Sequence, residues 1–155
     1  MNELVYRNLS EDAKRQICAW KYGGEYDLYN LPSYEEMQVR QIGFMNPQRE
    51  KNYYGFWDES ILVGFVNILE EKEEIFIGIG VNPDLCNKHY GQRMLLITYE
   101  ISKKLYPDKP LYLEVRTWNI RAVKCYQKAG FRIDGQAYEL TTEIGTGTFY
   151  RMIRE

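Results

Sequence analysis

The segment that most constrains the fold is PDLCNKHYG, at residues 83–91. It joins an apolar, strand-like run, Ile75–Val81, to a long helical pattern over residues 92–106. Backbone N–H groups of a polar loop in this position point towards any anion that lies over the helix start. A strand, a polar loop and a helix in this order are typical of an anion-binding loop, and an ordinary polar loop before a helix remains open as the alternative.

A second patterned segment, LEVRTWNIRAVKCYQKAGF, occupies residues 113–131. Asn119 is a preferred N-cap residue type, and Gly130 is the type that commonly follows a helix end. The pattern predicts a strand over residues 111–115 and a helix over residues 120–129. A strand followed by a helix thus occurs twice in this part of the chain.

Taken together, the two segments resemble the coenzyme-A-binding core of the GNAT N-acetyltransferases. The family's loop usually reads Arg or Gln, two residues, Gly, one residue, then Gly or Ala; Cys86, His89 and Gly91 hold the matching positions here. The loop departs from the family at Cys86 and His89. The second segment keeps the family's spacing at Asn119, Arg121, Ala122, Tyr126, Lys128, Gly130 and Phe131.

The resemblance implies an α/β (α+β) GNAT fold in one domain over residues 1–155, with a mixed central sheet of about seven strands flanked by about four helices. The remaining patterns agree with that order. They predict helices from Ser10 to about residue 20 and from Ser33 to about residue 43, a helical stripe of Met94, Ile97, Ile101 and Leu105, and strands at residues 5–8, 52–57, 61–69, 131–138 and 148–153.

Composition narrows the function classes. A net charge of −2 with scattered Lys and Arg predicts no nucleic acid partner and no membrane partner. The sequence shows neither a signal-peptide pattern nor the roughly 20 apolar residues of a membrane span, so we expect a cytoplasmic protein. Cys18, Cys86 and Cys125 form no CxxC pair, and His89 is the single histidine, so we expect no metal site.

The resemblance implies that acetyl-CoA (coenzyme A) is the cofactor. Its phosphates would lie at the start of the helix after the loop, and its pantetheine arm along the preceding strand. His89 would be strained by about 1 to 2 kcal/mol if a left-handed backbone is required, or it would face solvent and donate to a phosphate. The implied cofactor-binding residues are Ile79, Gly80, Val81, Cys86, Asn87, Lys88, His89, Tyr90, Gly91, Gln92, Arg93, Asn119, Ala122 and Lys128.

Acyl transfer to an amine needs a base for the amine and a proton for the departing thiolate. The resemblance implies that Tyr126 is the general acid and that Glu114 is the base, acting directly or through a water. Packing of Tyr126 on the sheet and a structural Glu114 remain open as alternatives. Glu74 is a further candidate base, although a residue one position from the family's site normally points to the opposite face.

The resemblance also places the first helices and the loop after them around the acceptor, which puts Trp20, Tyr22, Tyr26, Tyr29 and Tyr34 near the amine. Aromatic faces suit an ammonium group, but the same rings would equally cover the core. We expect the acceptor to be a primary amine of a small molecule or a peptide N-terminus, and the protein to be a monomer or homodimer. A catalytically weak acyl-CoA-binding module of the same fold is the alternative.

Overall fold

The structure is a computed structural model, and it describes residues 3–155. Within these residues the chain forms a mixed sheet of eight strands and four α-helices. The strands are β1 (Val5–Asn8), β2 (Tyr53–Asp58), β3 (Ile61–Glu70), β4 (Ile75–Val81), β5 (Leu111–Arg116), β6 (Arg132–Ile133), β7 (Tyr138–Thr142) and β8 (Gly145–Arg154). The helices are α1 (Glu11–Ala19), α2 (Tyr34–Arg40), α3 (Tyr90–Leu105) and α4 (Ile120–Lys128).

The strand order in the sheet is β1-β2-β3-β4-β5-β8-β6, and β7 pairs with β8. β4 and β5 are parallel, whereas β8 is antiparallel to each of its partners β5, β6 and β7. This arrangement confirms the predicted mixed sheet with four helices. None of the helices described is long and apolar enough to cross a membrane.

The closing part of the sheet corrects the prediction of one strand over residues 131–138. The chain forms only the two-residue strand β6 there, because Gly135 follows with φ 76°, a left-handed conformation that interrupts a strand. β7 then begins at Tyr138 and forms a hairpin with β8, whose first residue Gly145 has φ 113°. These two short strands bring the sheet to eight strands, close to the predicted number of about seven.

The chain divides into two compact units, and the single domain over residues 1–155 remains a prediction. The first unit contains the residues up to Asn67 together with Ile79–Tyr90. Its helices begin as predicted, because the hydroxyl oxygens of Ser10 and Ser33 accept backbone N–H bonds three residues later. α2 ends earlier than predicted, since Gln41 adopts a left-handed conformation with φ 51°.

The second unit contains Ile68–Gly78 and Gly91–Glu155. On α3 the buried stripe is formed by Met94, Leu95, Thr98, Ile101 and Ser102. Leu105, predicted to belong to that stripe, is 51% exposed, and Ile97 is half-buried. The buried face of α3 is therefore offset from the predicted one.

Candidate active site

The loop between β4 and α3, together with the first residue of α3, spans residues 82–90 and is here called the anion loop. Two of its residues that are not glycine have left-handed backbones, Asn87 with φ 65° and His89 with φ 67°. Asn adopts this conformation readily, whereas for His89 it costs about 1 to 2 kcal/mol. His89 is also exposed. The left-handed backbone on which the predicted strain at His89 depends is therefore present.

Side chains at both ends of the anion loop hold it in place. The Asn82 amide donates to the carbonyl of Leu62 at 3.1 Å, and its oxygen accepts from the Asp84 N–H at 3.0 Å. The Tyr90 hydroxyl donates to Asp58 Oδ2 at 2.5 Å. The side chain of Tyr90, predicted to bind cofactor, therefore anchors the loop. Sequence reasoning missed Asp58 and Asn82, although Asn before Pro83 is a pattern of turn initiation.

The end of β4, predicted to bind the cofactor arm, lies close to residues predicted to surround the acceptor. A Cβ at Gly80 would lie 2.4 Å from the Phe65 ring, so only glycine fits beneath that ring. The Tyr22 hydroxyl donates to the Val81 carbonyl at 2.6 Å. The Trp20 ring packs on Phe65 with centroids 6.3 Å apart. Tyr22 and Trp20, predicted near the acceptor, thus lie beside the strand predicted to bind the cofactor arm.

The other predicted acceptor residues lie elsewhere in the first unit. The Tyr34 hydroxyl donates to Glu11 Oε1 at 2.5 Å, and the Arg15 guanidinium lies over the Tyr34 ring at 4.6 Å. The hydrogen bond to Glu11 raises the pKa of Tyr34. Tyr26 and Tyr29 are half-buried in a short 3-10 helix, Gly24–Tyr29. Tyr34 therefore links α2 to α1.

The parallel ladder of β4 and β5 is short. It pairs Ile75 with Leu111 and Phe76 with Tyr112. Both strands continue past these pairs, β4 to Val81 and β5 to Arg116. The ladder recorded between the two strands therefore ends before Ile79.

Glu114 lies on β5 opposite Arg151 of β8. Its exposed carboxylate accepts a hydrogen bond from the Tyr138 hydroxyl at 2.7 Å. Burial of the Tyr138 hydroxyl, and to a smaller extent this hydrogen bond, raises the pKa of Tyr138. Arg151 donates two hydrogen bonds to Glu74, and its Nε donates to Asp134 at 3.2 Å. The bonds to Glu74, more than those to Asp134, raise the pKa of Arg151. Glu74, the other candidate base, is thus the main partner of Arg151.

A second tyrosine and glutamate form a similar pair nearby. The Tyr112 hydroxyl donates to Glu71 Oε1 at 2.7 Å. Burial of the Tyr112 hydroxyl, and to a smaller extent this hydrogen bond, raises the pKa of Tyr112. The Arg151 guanidinium lies over the Tyr112 ring at 4.4 Å. Two equivalent tyrosine–carboxylate bonds therefore occur in the second unit, and only one of them involves the proposed base.

Side chains on one face of the sheet at β5, β7 and β8 form a surface that we call the β5–β8 face; they are Glu114, Arg116, Tyr138, Thr142, Phe149 and Arg151. Sequence reasoning identified Glu114 alone among them. The others come together through the β7–β8 hairpin, which the sequence pattern did not predict.

The helix after β5 is capped as predicted. The Asn119 side-chain oxygen accepts from the Ala122 N–H at 3.2 Å, which fixes the start of α4. Tyr126 is half-buried on α4, and its carbonyl accepts from the Phe131 N–H at 3.0 Å. Lys128 is exposed at the end of the helix. The two predicted catalytic residues thus belong to successive elements of one unit.

The sequence also matches a family model, described as Acetyltransferase (GNAT) family, over residues 10–131. The chain belongs to the GNAT acetyltransferase family. It is 30% identical over 100 residues to a probable spermine N(1)-acetyltransferase from Bacillus subtilis subsp. natto (strain BEST195), a match that covers 57% of this chain and 66% of that relative. The chain thus spans just under two thirds of the length of that curated relative.

Solved structures share the fold at lower identity. A spermidine N-acetyltransferase SpeG chimera from Vibrio cholerae and hSSAT has a TM-score of 0.77 and 20% identity, covering 99% of this chain and 95% of that one. The structure of AAC(6')-Ib in complex with Parmomycin and AcetylCoA has a TM-score of 0.73 and 17% identity, covering 99% and 93%. These likenesses confirm the predicted GNAT fold.

Proposed function

We propose that this GNAT protein transfers an acetyl group from acetyl-CoA to the primary amine of a small molecule. Family membership over residues 10–131 supports the reaction class. The names of the similar proteins, which include a spermine and a spermidine acetyltransferase and a complex with acetyl-CoA, agree with a small amine acceptor.

The observation that carries the proposal is the backbone of the anion loop. Asn87 and His89 have left-handed backbones, and concave anion-binding nests of backbone N–H groups are built with residues in that conformation. The first turn of α3 adds N–H groups and the positive end of the helix dipole. Each hydrogen bond to a phosphate contributes about 1.5 to 3 kcal/mol. This donor set fits a pyrophosphate, and most of it is independent of side-chain identity.

The residues proposed to bind the cofactor lie in two parts of the chain, the β4–loop–α3 segment and α4. Backbone N–H groups of the anion loop and of β4 beyond its ladder would hold the phosphates and the pantetheine arm, with Cys86, Lys88, Gly91, Gln92 and Arg93 contributing from the loop and the first turn of α3. Lys88 would add a positive charge within the loop itself. Asn119, Ala122 and Lys128 would contribute from α4.

Bound acetyl-CoA would supply an activated thioester, from which the acetyl group would pass to the amine nitrogen with coenzyme A thiolate as the leaving group. Glu114 takes the proton that the ammonium group must lose, directly or through one water. Tyr126 would be the general acid that supplies a proton for the departing thiolate, and solvent would restore its hydroxyl proton. Tyr138 keeps one oxygen of the Glu114 carboxylate oriented, since its hydroxyl donates to that carboxylate at 2.7 Å.

The proposal is tested first by calorimetric titration with acetyl-CoA and coenzyme A, and then by thiol release with a panel of polyamines, aminoglycosides, amino acids and peptides. We expect saturable binding of both forms of the cofactor and turnover with a small amine. Absence of binding at millimolar concentration would refute the proposal. Binding without turnover across the panel would instead favour the acyl-CoA-binding module.

A further inference from the structure

Arg116, at the end of β5, is a buried cation without an acidic partner among residues 3–155. Its side chain is 9% exposed. Its guanidinium stacks on the Phe149 ring at 4.7 Å, and its single hydrogen bond, to Thr142 Oγ1, is 3.5 Å long. A bond of that length is at the limit of what counts as one.

The other buried cation of the described chain is treated differently. Lys14 is 3% exposed, and its ammonium group is paired with Glu11 at 2.9 Å and with Glu50 at 2.7 Å. Burying a charge costs several kcal/mol unless a counter-charge and hydrogen bonds compensate. Arg116 lacks the counter-charge that Lys14 has, so its guanidinium is available to an anion from outside the described residues.

The surroundings of Arg116 leave its donors usable. A Cβ at Gly147 would lie 2.1 Å from Nη1, so the guanidinium rests directly on the backbone of β8. The fully buried side-chain atoms that lack a hydrogen bond are Asn67 Oδ1 and Ser102 Oγ, in the described residues. The guanidinium nitrogens are not among them, which means that those not bonded to Thr142 still reach the surface.

We propose that Arg116 binds a carboxylate of the acceptor, so that the acceptor is a primary amine that also carries a carboxylate. This inference rests on the proposed function and specifies its substrate class. The planar guanidinium matches a carboxylate with two parallel hydrogen bonds. Glu114 lies two residues earlier on the same face, about 7 Å away along the strand. The amine of a short amino acid would thus face Glu114 while its carboxylate faces Arg116.

The test compares two acceptor series of equal length, ω-amino carboxylates of three to six carbons and the matching neutral amino alcohols. We expect the wild-type enzyme to prefer at least one amino carboxylate by tenfold or more in kcat/KM. Arg116→Gln should abolish that preference and change turnover of the amino alcohol by less than about threefold. Equal rates for the two series in the wild type, or equal losses in the variant, would overturn the proposal.

Two further measurements keep the test independent of folding and of catalysis. Gly147→Ala leaves the charge in place but displaces the guanidinium, so it should remove the same preference. Thermal unfolding measured with the amino carboxylates, without acetyl-CoA, should show saturable protection of the wild type that Arg116→Gln and Gly147→Ala lack. If none of these probes protects the wild type, the proposal is wrong even where transfer to other amines is found; if they protect but no transfer occurs, the proposed function fails instead.

Discussion

The anion loop and the β5–β8 face use side chains in opposite ways. In the loop, Asn82 and Tyr90 hydrogen-bond to Leu62 and Asp58 of the protein, so the proposed ligand contacts are left mainly to backbone N–H groups. On the face, the backbone is taken up by strand pairing, and Glu114 and Arg116 extend from it. A motif that works through its backbone tolerates changes of side chain, which is why Cys86 and His89 are compatible with a family whose loop usually differs there.

The largest effect is expected at Tyr126, whose hydroxyl is the proposed general acid. Tyr126→Phe should lower kcat by about 10³, within the usual range for loss of a positioned acid, while the Kd of acetyl-CoA stays unchanged. Steady-state kinetics and calorimetric titration measure the two quantities. Tyr99→Phe, which removes a hydroxyl bonded to the carbonyl of Glu155, is the control. An unchanged kcat in Tyr126→Phe would exclude the tyrosine from the mechanism.

Glu114→Gln should lower kcat/KM by about 10² at pH 7. An amine with an ordinary pKa near 10.4 is mostly protonated at that pH, so the rate should recover partly as pH rises and neutral amine accumulates. The pH dependence of kcat/KM for both proteins gives the result. If the two profiles run parallel from pH 6 to 10, Glu114 is structural and the proton leaves to water.

Tyr138→Phe should lower kcat by about tenfold, because it removes one hydrogen bond to a charged group, worth about 1.5 kcal/mol. Its raised pKa keeps Tyr138 protonated, so the loss should not vary with pH below about 9. Tyr112→Phe removes the equivalent bond to Glu71 and should leave kcat unchanged. In a Glu114→Gln background, Tyr138→Phe should have no further effect on kcat; a full tenfold loss there would show that Tyr138 acts without Glu114.

Tyr90→Phe tests the loop side of the comparison. Loss of its hydrogen bond to Asp58 leaves the loop less ordered before the cofactor binds. Ordering the loop on binding should cost less free energy than one hydrogen bond contributes, so we expect acetyl-CoA to bind about threefold more weakly. The kcat at saturating acetyl-CoA should not change. Asp58→Ala should give the same threefold change, and the double variant no more than either single one. A loss confined to kcat would contradict the anchoring role.

The smallest effect is expected at His89. Glycine accepts the left-handed backbone without strain, so His89→Gly should raise the free energy of unfolding by about 0.5 to 1 kcal/mol, after the larger entropy of an unfolded glycine is subtracted. The Kd of acetyl-CoA should tighten slightly or stay the same. Urea unfolding and calorimetry measure the two values. A tenfold weaker Kd would identify the imidazole as a phosphate ligand.

Local signals in the sequence predicted what local forces determine. The caps Ser10, Ser33 and Asn119 and the polar loop before α3 are confirmed, because each depends on neighbours within a few residues. Met94 and Ile101 of the predicted α3 stripe are buried, whereas Leu105 is exposed and the hairpin after Gly135 was not predicted. Both differences depend on distant packing partners.

The contacts missing from the sequence prediction have the same origin. Tyr138 reaches Glu114 and Tyr90 reaches Asp58 through strand register and not through spacing along the chain. Arg116 was read as part of a strand pattern, although its burial on Phe149 is set by the pairing of β5 with β8. Two charged residues within LEVR, Glu114 and Arg116, are the sequence signal that would have singled out Arg116.

The position of β8 in the sheet has a consequence for how the protein acquires its structure. β8 is the last strand along the chain, yet it lies against β5, β6 and β7 and brings Arg151 opposite Glu114. Contacts between residues far apart in sequence form slowly, because the intervening chain must first be closed into a loop. During synthesis, the anion loop can therefore fold well before the β5–β8 face. The groups proposed to recognise the acceptor would therefore be completed after those proposed to bind the cofactor.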